Sequence, residues 1–193
     1  RCAFGNFSLR ENEKMELYER QSLEKAFQVA QRYAEKPHGW LVFLGGSATG
    51  KTHLAAAIGN YRHAEGEQPM FVGVPDLLDH LRATFSPNSP VSYDRLLDDV
   101  RTSPLLILDD LGTQSATPWA REKLYQILNY RYVAELPTII TSVASLDEID
   151  ERIRSRMLDK RVCQIFLLDV PPYRPSSNTA SRGKPGRHHA ATT

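Results

Sequence analysis

Gly45-Gly46-Ser47-Ala48-Thr49-Gly50-Lys51-Thr52 constrains this chain more than any other stretch, because it satisfies G-x-x-x-x-G-K-[ST] in full. The pattern has physical meaning only between a strand and a helix, and both flanks are present. Trp40-Leu41-Val42-Phe43-Leu44 is an apolar run too short for a helix, set between Gly39 and Gly45. After the loop, Leu54, Ala57, Ile58 and Tyr61 fall on one helical face. The glycines allow the backbone to curl so that successive N–H groups converge on phosphate oxygens, and the helix N-terminus adds partial positive charge. In that arrangement Gly45, Gly46, Ser47, Ala48, Thr49 and Gly50 form the cradle. Lys51 bridges the β- and γ-phosphates, Thr52 offers a hydroxyl to Mg²⁺, and the His53 amide reaches the α-phosphate, its side chain being a spectator.

The apolar run recurs. Met70 to Val74, Leu105 to Leu108, Thr138 to Thr141 and Val162 to Leu168 are further strand candidates, with helical patterns between them. Strands alternating with helices predict an α/β fold with a five-stranded parallel sheet flanked by helices. Ahead of it, Leu23, Ala26, Phe27, Ala30, Tyr33 and Ala34 predict an amphipathic helix from Ser22 to the stop at Pro37. The connection from Val74 to Pro104 holds two helical patterns where a crossover needs one.

Leu105-Leu106-Ile107-Leu108-Asp109-Asp110 is an apolar strand ending in two carboxylates, the first of them 58 residues beyond Lys51. Such a pair suits Walker B chemistry. Asp109 is placed to hold Mg²⁺, and Asp110 to orient and polarise the water that attacks the γ-phosphate.

At 193 residues, with 41% apolar and 24% charged, the chain has the composition of one folded domain. Its net charge of +1 is uneven. Four basic residues and no acids follow Pro171, which leaves 20 positive against 23 negative charges over residues 1–170, so bulk charge demands no nucleic acid. Cys2 and Cys163 make no metal spacing, and a reducing cytoplasm suits them. No apolar run approaches the roughly 20 residues of a membrane helix. The chain opens on Arg1, as a fragment of a longer protein does. Residues 1–19 read as a linker, 20–170 as the folded domain with 75–103 as an insertion, and 171–193 as a disordered basic tail.

Together these residues resemble the AAA+ ATPases, and more narrowly the DnaC/IstB-like clade of bacterial helicase loaders and transposition helpers, over residues 4 to about 174. The resemblance is also carried by Leu108-Asp109-Asp110-Leu111-Gly112, Trp119 to Leu124, Asn129 to Tyr132 and Pro137 to Ser142. It implies a P-loop NTPase that binds ATP and Mg²⁺ and, as is usual in the clade, has no C-terminal lid domain. Phe4-Gly5-Asn6-Phe7 resembles the segment that lies near the adenine, with Phe7 as the contact; two aromatics capping the core edge is the other reading. The clade's polar sensor, often Asn, aligns with Val143, which cannot hydrogen-bond, and Ser142 or Thr141 can substitute; slow turnover is expected.

Ser155-Arg156-Met157 resembles the arginine-finger segment, in which Arg156 enters a neighbouring subunit's site, so that hydrolysis depends on ATP-driven homo-oligomer assembly. Arg152 and Arg154 are rivals, and pairing with Glu148, Asp150 or Glu151 along one charged helix from Ser145 to Lys160 is the alternative. The insertion resembles the initiator/loader type that lines a channel for single-stranded DNA, or is an added layer on the sheet. Arg131 calls for a buried or inter-subunit ion pair. The functions implied are a loader acting on a replicative DNA helicase through a region N-terminal to this chain, an IstB-like transposase helper, or an ATP-binding assembly switch. A small-metabolite kinase lacks any candidate acceptor segment.

Overall fold

The computed structural model describes residues 2–11, 13–86, 90–112 and 117–173. All five strands form one parallel sheet: β1 (Trp40–Gly45), β2 (Met70–Gly73), β3 (Leu106–Asp109), β4 (Thr138–Ser142) and β5 (Cys163–Leu168), in the order β2-β3-β4-β1-β5. β1 carries the phosphate loop at its C-terminal end and β3 the two carboxylates. β4 lies between them, with Leu41 paired to Ile139 and Ile107 paired to Ile139.

Alternation along β1 divides the core. Leu41 and Phe43 face α1 (Leu17–Glu35) and α2 (Lys51–Ala64), where they meet Leu23, Ala30, Leu54 and Ile58. Trp40, Val42 and Leu44 face α3 (Val74–Ala83), α4 (Tyr93–Thr102), α5 (Pro118–Val133) and α6 (Glu151–Met157). Because both faces are covered, the strands read as continuous apolar runs instead of alternating ones.

The insertion is the expected pair of helices, α3 and α4, and it is packed. Leu77, Leu78, Leu81, Leu97 and Val100 are all buried in the second core. Ser92 caps α4 by accepting from the Arg95 amide, and Thr117 caps α5 by accepting from Ala120, with Pro118 in the first turn. Val74, expected to end β2, instead begins α3, since Pro75 and Asp76 favour a first helical turn.

Two boundaries depart from expectation. α1 starts at Leu17 instead of Ser22, its first turn closed by the Glu16 amide donating to Glu19 Oε2 at 2.8 Å. Leu17 and Tyr18 point to solvent, so that turn adds nothing to the buried stripe. The single helix expected from Ser145 to Lys160 is broken into a 3₁₀ turn, Leu146–Glu148, and α6. Ile149 drops into the core in extended conformation, and Asp150 caps α6 by accepting from the Arg152 amide at 3.0 Å. Residues 174–193 of the expected tail lie outside the described residues.

Candidate nucleotide site

The loop leaves β1 with Gly45 at φ 144° and enters α2 through Gly50 at φ 106°, with Ala48 also left-handed at φ 57°. Gly45 has no room for a side chain, because a Cβ there would stand 2.5 Å from the Leu168 carbonyl oxygen of β5. Gly50 packs against Phe7, whose ring would lie 3.1 Å from an added Cβ. Ser47 and Ala48 are exposed at the loop's crest, while Thr49 is buried and ties the loop by donating to Gly46 O at 3.0 Å.

Lys51, only 6% exposed, folds its ammonium into the loop and donates to Gly45 O at 2.8 Å and Gly46 O at 2.6 Å. Burial lowers its pKa, and the charges of Asp110 and then Asp109 oppose that shift. Both carboxylates are thus near enough to Lys51 to act on it. A cation held by neutral carbonyls in a partly dehydrated loop is poised to exchange those acceptors for phosphate oxygens, with a gain from charge neutralisation.

Across the cleft, Asp109 Oδ1 accepts two hydroxyl hydrogen bonds, from Thr52 at 2.9 Å and from Thr141 at 2.7 Å. The Asp110 amide in turn donates to Thr141 Oγ1 at 2.9 Å, and Asp110 sits at φ 62°, which ends the strand and turns the chain away. Thr52 on α2, Asp109 on β3 and Thr141 on β4 therefore meet at one point, as the strand order requires. Among the described residues no group of three or more His, Cys, Asp or Glu could hold a metal. One carboxylate and one hydroxyl, completed by phosphate and water oxygens, fit a hard octahedral cation such as Mg²⁺.

The other predicted residues divide. Phe7 and His53 are brought to the loop: His53 Nε2 lies 3.1 Å from both Ala3 O and Asn6 Oδ1, and its ring meets Phe7 edge-on at 5.1 Å. Phe7 also stacks on Phe27 at 5.4 Å, so it lines the site and caps the core at once. The Ser142 hydroxyl is fully buried, donates to the Leu111 carbonyl and accepts from the Ala144 amide, so it is spent on the turn after β4. The Thr141 hydroxyl is the one that turns to Asp109 and Asp110, donating to Asp109 Oδ1 and accepting from the Asp110 amide. Val143 is half exposed.

Arg156 lies on α6, donating to Asn129 Oδ1 at 3.1 Å and placed over the Tyr132 ring. Its rivals are engaged by carboxylates, Arg152 by Glu122 and Asp150, and Arg154 by Asp147. Arg131 forms no ion pair within the described residues. It is fully buried and bonds to Thr138 Oγ1, Arg101 O, Ser103 O and Pro137 O.

Two contributors carried no motif. Tyr173, assigned to the tail, donates its amide to Ala48 O at 2.8 Å. Arg10, assigned to the linker, donates to Pro171 O at 2.5 Å and lies over the Tyr173 ring at 5.2 Å. Both border a cavity of about 370 Å³ beside the loop, together with Phe7, Leu23, Thr52 and His53.

A parallel sheet with a glycine-rich loop after β1, a lysine in that loop and a carboxylate at the end of β3 defines an AAA+-type P-loop nucleotide-binding domain. Within that class the chain belongs to the IstB-like ATP binding proteins, whose family model matches residues 28–170. It is 30% identical over 164 residues to the replicative helicase loader DnaC of Buchnera aphidicola subsp. Schizaphis graminum, covering 83% of this chain and 61% of that one. The chain thus spans about three fifths of the length of such curated relatives. Among solved structures, DnaI matches with a TM-score of 0.68 at 25% identity, over 90% of this chain and 91% of that one. The DnaC helicase loader matches in fold, with a TM-score of 0.67 at 24% identity over 85% and 97%.

Proposed function

We propose that this chain is the ATPase module of a helicase loader, hydrolysing ATP slowly and only when assembled. The observation that carries the reading is the meeting of Thr52 and Asp109 at 2.9 Å across the cleft from the Lys51 loop. Lys51 takes the β- and γ-phosphates, the amides of residues 46–53 cradle the chain of phosphates, and Phe7 flanks the base. Thr52 and Asp109 hold Mg²⁺, which when bound neutralises phosphate charge. Asp110 orients the attacking water, and Thr141 fixes the Asp109 carboxylate and the Asp110 backbone amide.

Hydrolysis is slow because Val143 offers no hydrogen bond beside the reacting phosphate. Assembly supplies the missing charge: Arg156, held by the neutral Asn129 and Tyr132, is the arginine offered to a neighbouring subunit. Loader function rests on the relatives named replicative helicase loaders. In this reading the homo-oligomer forms on single-stranded DNA in the cytoplasm, and the helicase is gripped by residues outside the module. No described helix is long and apolar enough to cross a membrane.

The IstB-like family description favours a second reading, a transposase helper that uses the same ATP-driven assembly. The deciding experiment incubates the full-length protein with ATP and single-stranded DNA and asks what co-purifies. The loader reading expects a replicative helicase; a transposase would replace it with the helper reading, and neither would sink both. Phosphate release stimulated by single-stranded DNA and lost in Asp110→Asn separates an ATPase from an assembly switch.

A further inference from the structure

The segment that follows β5 returns to the phosphate loop and is clasped there by the segment that precedes α1. The Tyr173 amide donates to Ala48 O in the crest of the loop, and Pro171 O accepts from Arg10. Arg10 is 4% exposed, at φ 58°, with its guanidinium over one face of the Tyr173 ring. A charged side chain is not buried in a left-handed residue without a reason, since both features cost stability. Its Nη1 is used by Pro171 and its Nε faces Glu13 at 3.9 Å, but its buried Nη2 has no hydrogen-bond partner. Tyr173 is 45% exposed and borders the cavity beside the loop, which Phe7 and His53 also line.

We propose that Pro171–Tyr173 is the second wall of the base pocket: the Tyr173 ring stacks on the purine of the bound nucleotide, and Arg10 is the positioning residue that holds the ring there. The inference rests on the nucleotide-binding reading above and adds what recognises the base. An aromatic that has a guanidinium over its ring and borders a cavity beside the phosphate loop is suited to stacking on a nucleobase, an interaction available to any π-face. The wall is tied to the phosphate loop itself through Ala48, so base and phosphate contacts share one rigid frame.

The test separates base from phosphate. Titration calorimetry of the whole chain with Mg·ATP and, separately, with Mg·tripolyphosphate reads the two contributions, because tripolyphosphate presents the phosphates without a base. Tyr173→Ala, at an exposed position that does not threaten folding, is expected to weaken ATP roughly five- to hundred-fold, the range of one lost base–aromatic stack, while tripolyphosphate binding stays within about twofold. Tyr173→Phe keeps both affinities. Arg10→Met lowers the ATP-to-tripolyphosphate affinity ratio in the same direction, whereas a merely structural role for Arg10 would lower both ligands together. Equal ATP affinity in Tyr173→Ala and the parent chain, or parallel loss of both ligands, overturns the proposal. If the parent chain binds neither ligand, the nucleotide reading itself is what fails.

Discussion

Lys51 and Arg131 are both buried cations, one at each end of the same parallel sheet, and they are solvated by backbone carbonyls in opposite ways. Lys51 sits beyond the C-terminal end of β1, where its carbonyl partners belong to a loop with an exposed crest and two carboxylates lie close by. Arg131 sits where β3 and β4 begin, joining the end of α5 to the end of α4 and the start of β4. Burial lowers the Arg131 pKa to about 10, and no carboxylate within the described residues compensates. A single-point charge on a flexible stem can exchange carbonyls for a ligand. A planar fork locked into three carbonyls from two segments cannot, so it works as a structural joint.

The largest expected effect falls on the joint. Arg131→Ala leaves three carbonyls and the Thr138 hydroxyl without their donor, and should cost about 3–5 kcal/mol of stability in urea melts. A loss under about 1 kcal/mol would erase the distinction. At the other end, Asp110→Asn should lower phosphate release by roughly 10²-fold or more, about 2.7 kcal/mol, while nucleotide affinity and stability hold; calorimetry beside single-turnover assays checks both. Unchanged turnover would remove Asp110 from the chemistry.

A smaller effect is expected at Thr141. Thr141→Val keeps the shape but removes the bonds to Asp109 and from the Asp110 amide, which should cost about 1 kcal/mol and raise the Mg²⁺ concentration needed for half-maximal ATP binding. Ser142→Ala should leave that Mg²⁺ dependence unmoved, because its hydroxyl serves Leu111 and Ala144. The mildest effect lies near the joint, where hydrogen bonds from Arg161 and then Tyr132 hold the Asp159 carboxyl well below the usual range. A depressed folded pKa contributes stability that is full above about pH 4 and is lost as pH falls toward the folded value. Asp159→Asn should therefore lower stability at pH 7 and flatten its decline on acidification.

The parts legible in the sequence are those set by local patterns. The loop, the five strands and the carboxylate pair each occupy contiguous residues, and strands buried on both faces announce themselves as apolar runs. What escaped depended on pairings across the chain. Every residue of β4 is buried, so its pattern could not show whether Thr141 or Ser142 turns toward Asp109. Arg131 suggested an acid partner, yet carbonyl groups are invisible in a sequence. Arg10 and Tyr173 come from segments that lack core periodicity, and only the return of the chain past β5 brings them together. The charged stretch around Asp150 reads as helix throughout because nothing in its charges reveals that Ile149 is needed in the core.

In the proposed function the Lys51 ammonium trades the carbonyls of Gly45 and Gly46 for the phosphates of a nucleotide. Calorimetric titration of Mg·ATP into the chain and into Lys51→Ala tests this most directly. Saturable heat is expected with the parent chain and at least a 100-fold weaker affinity in the variant, about 2.7 kcal/mol, with the variant's melting curve essentially unchanged. Equal affinity in both proteins, or no heat from the parent chain, would contradict it.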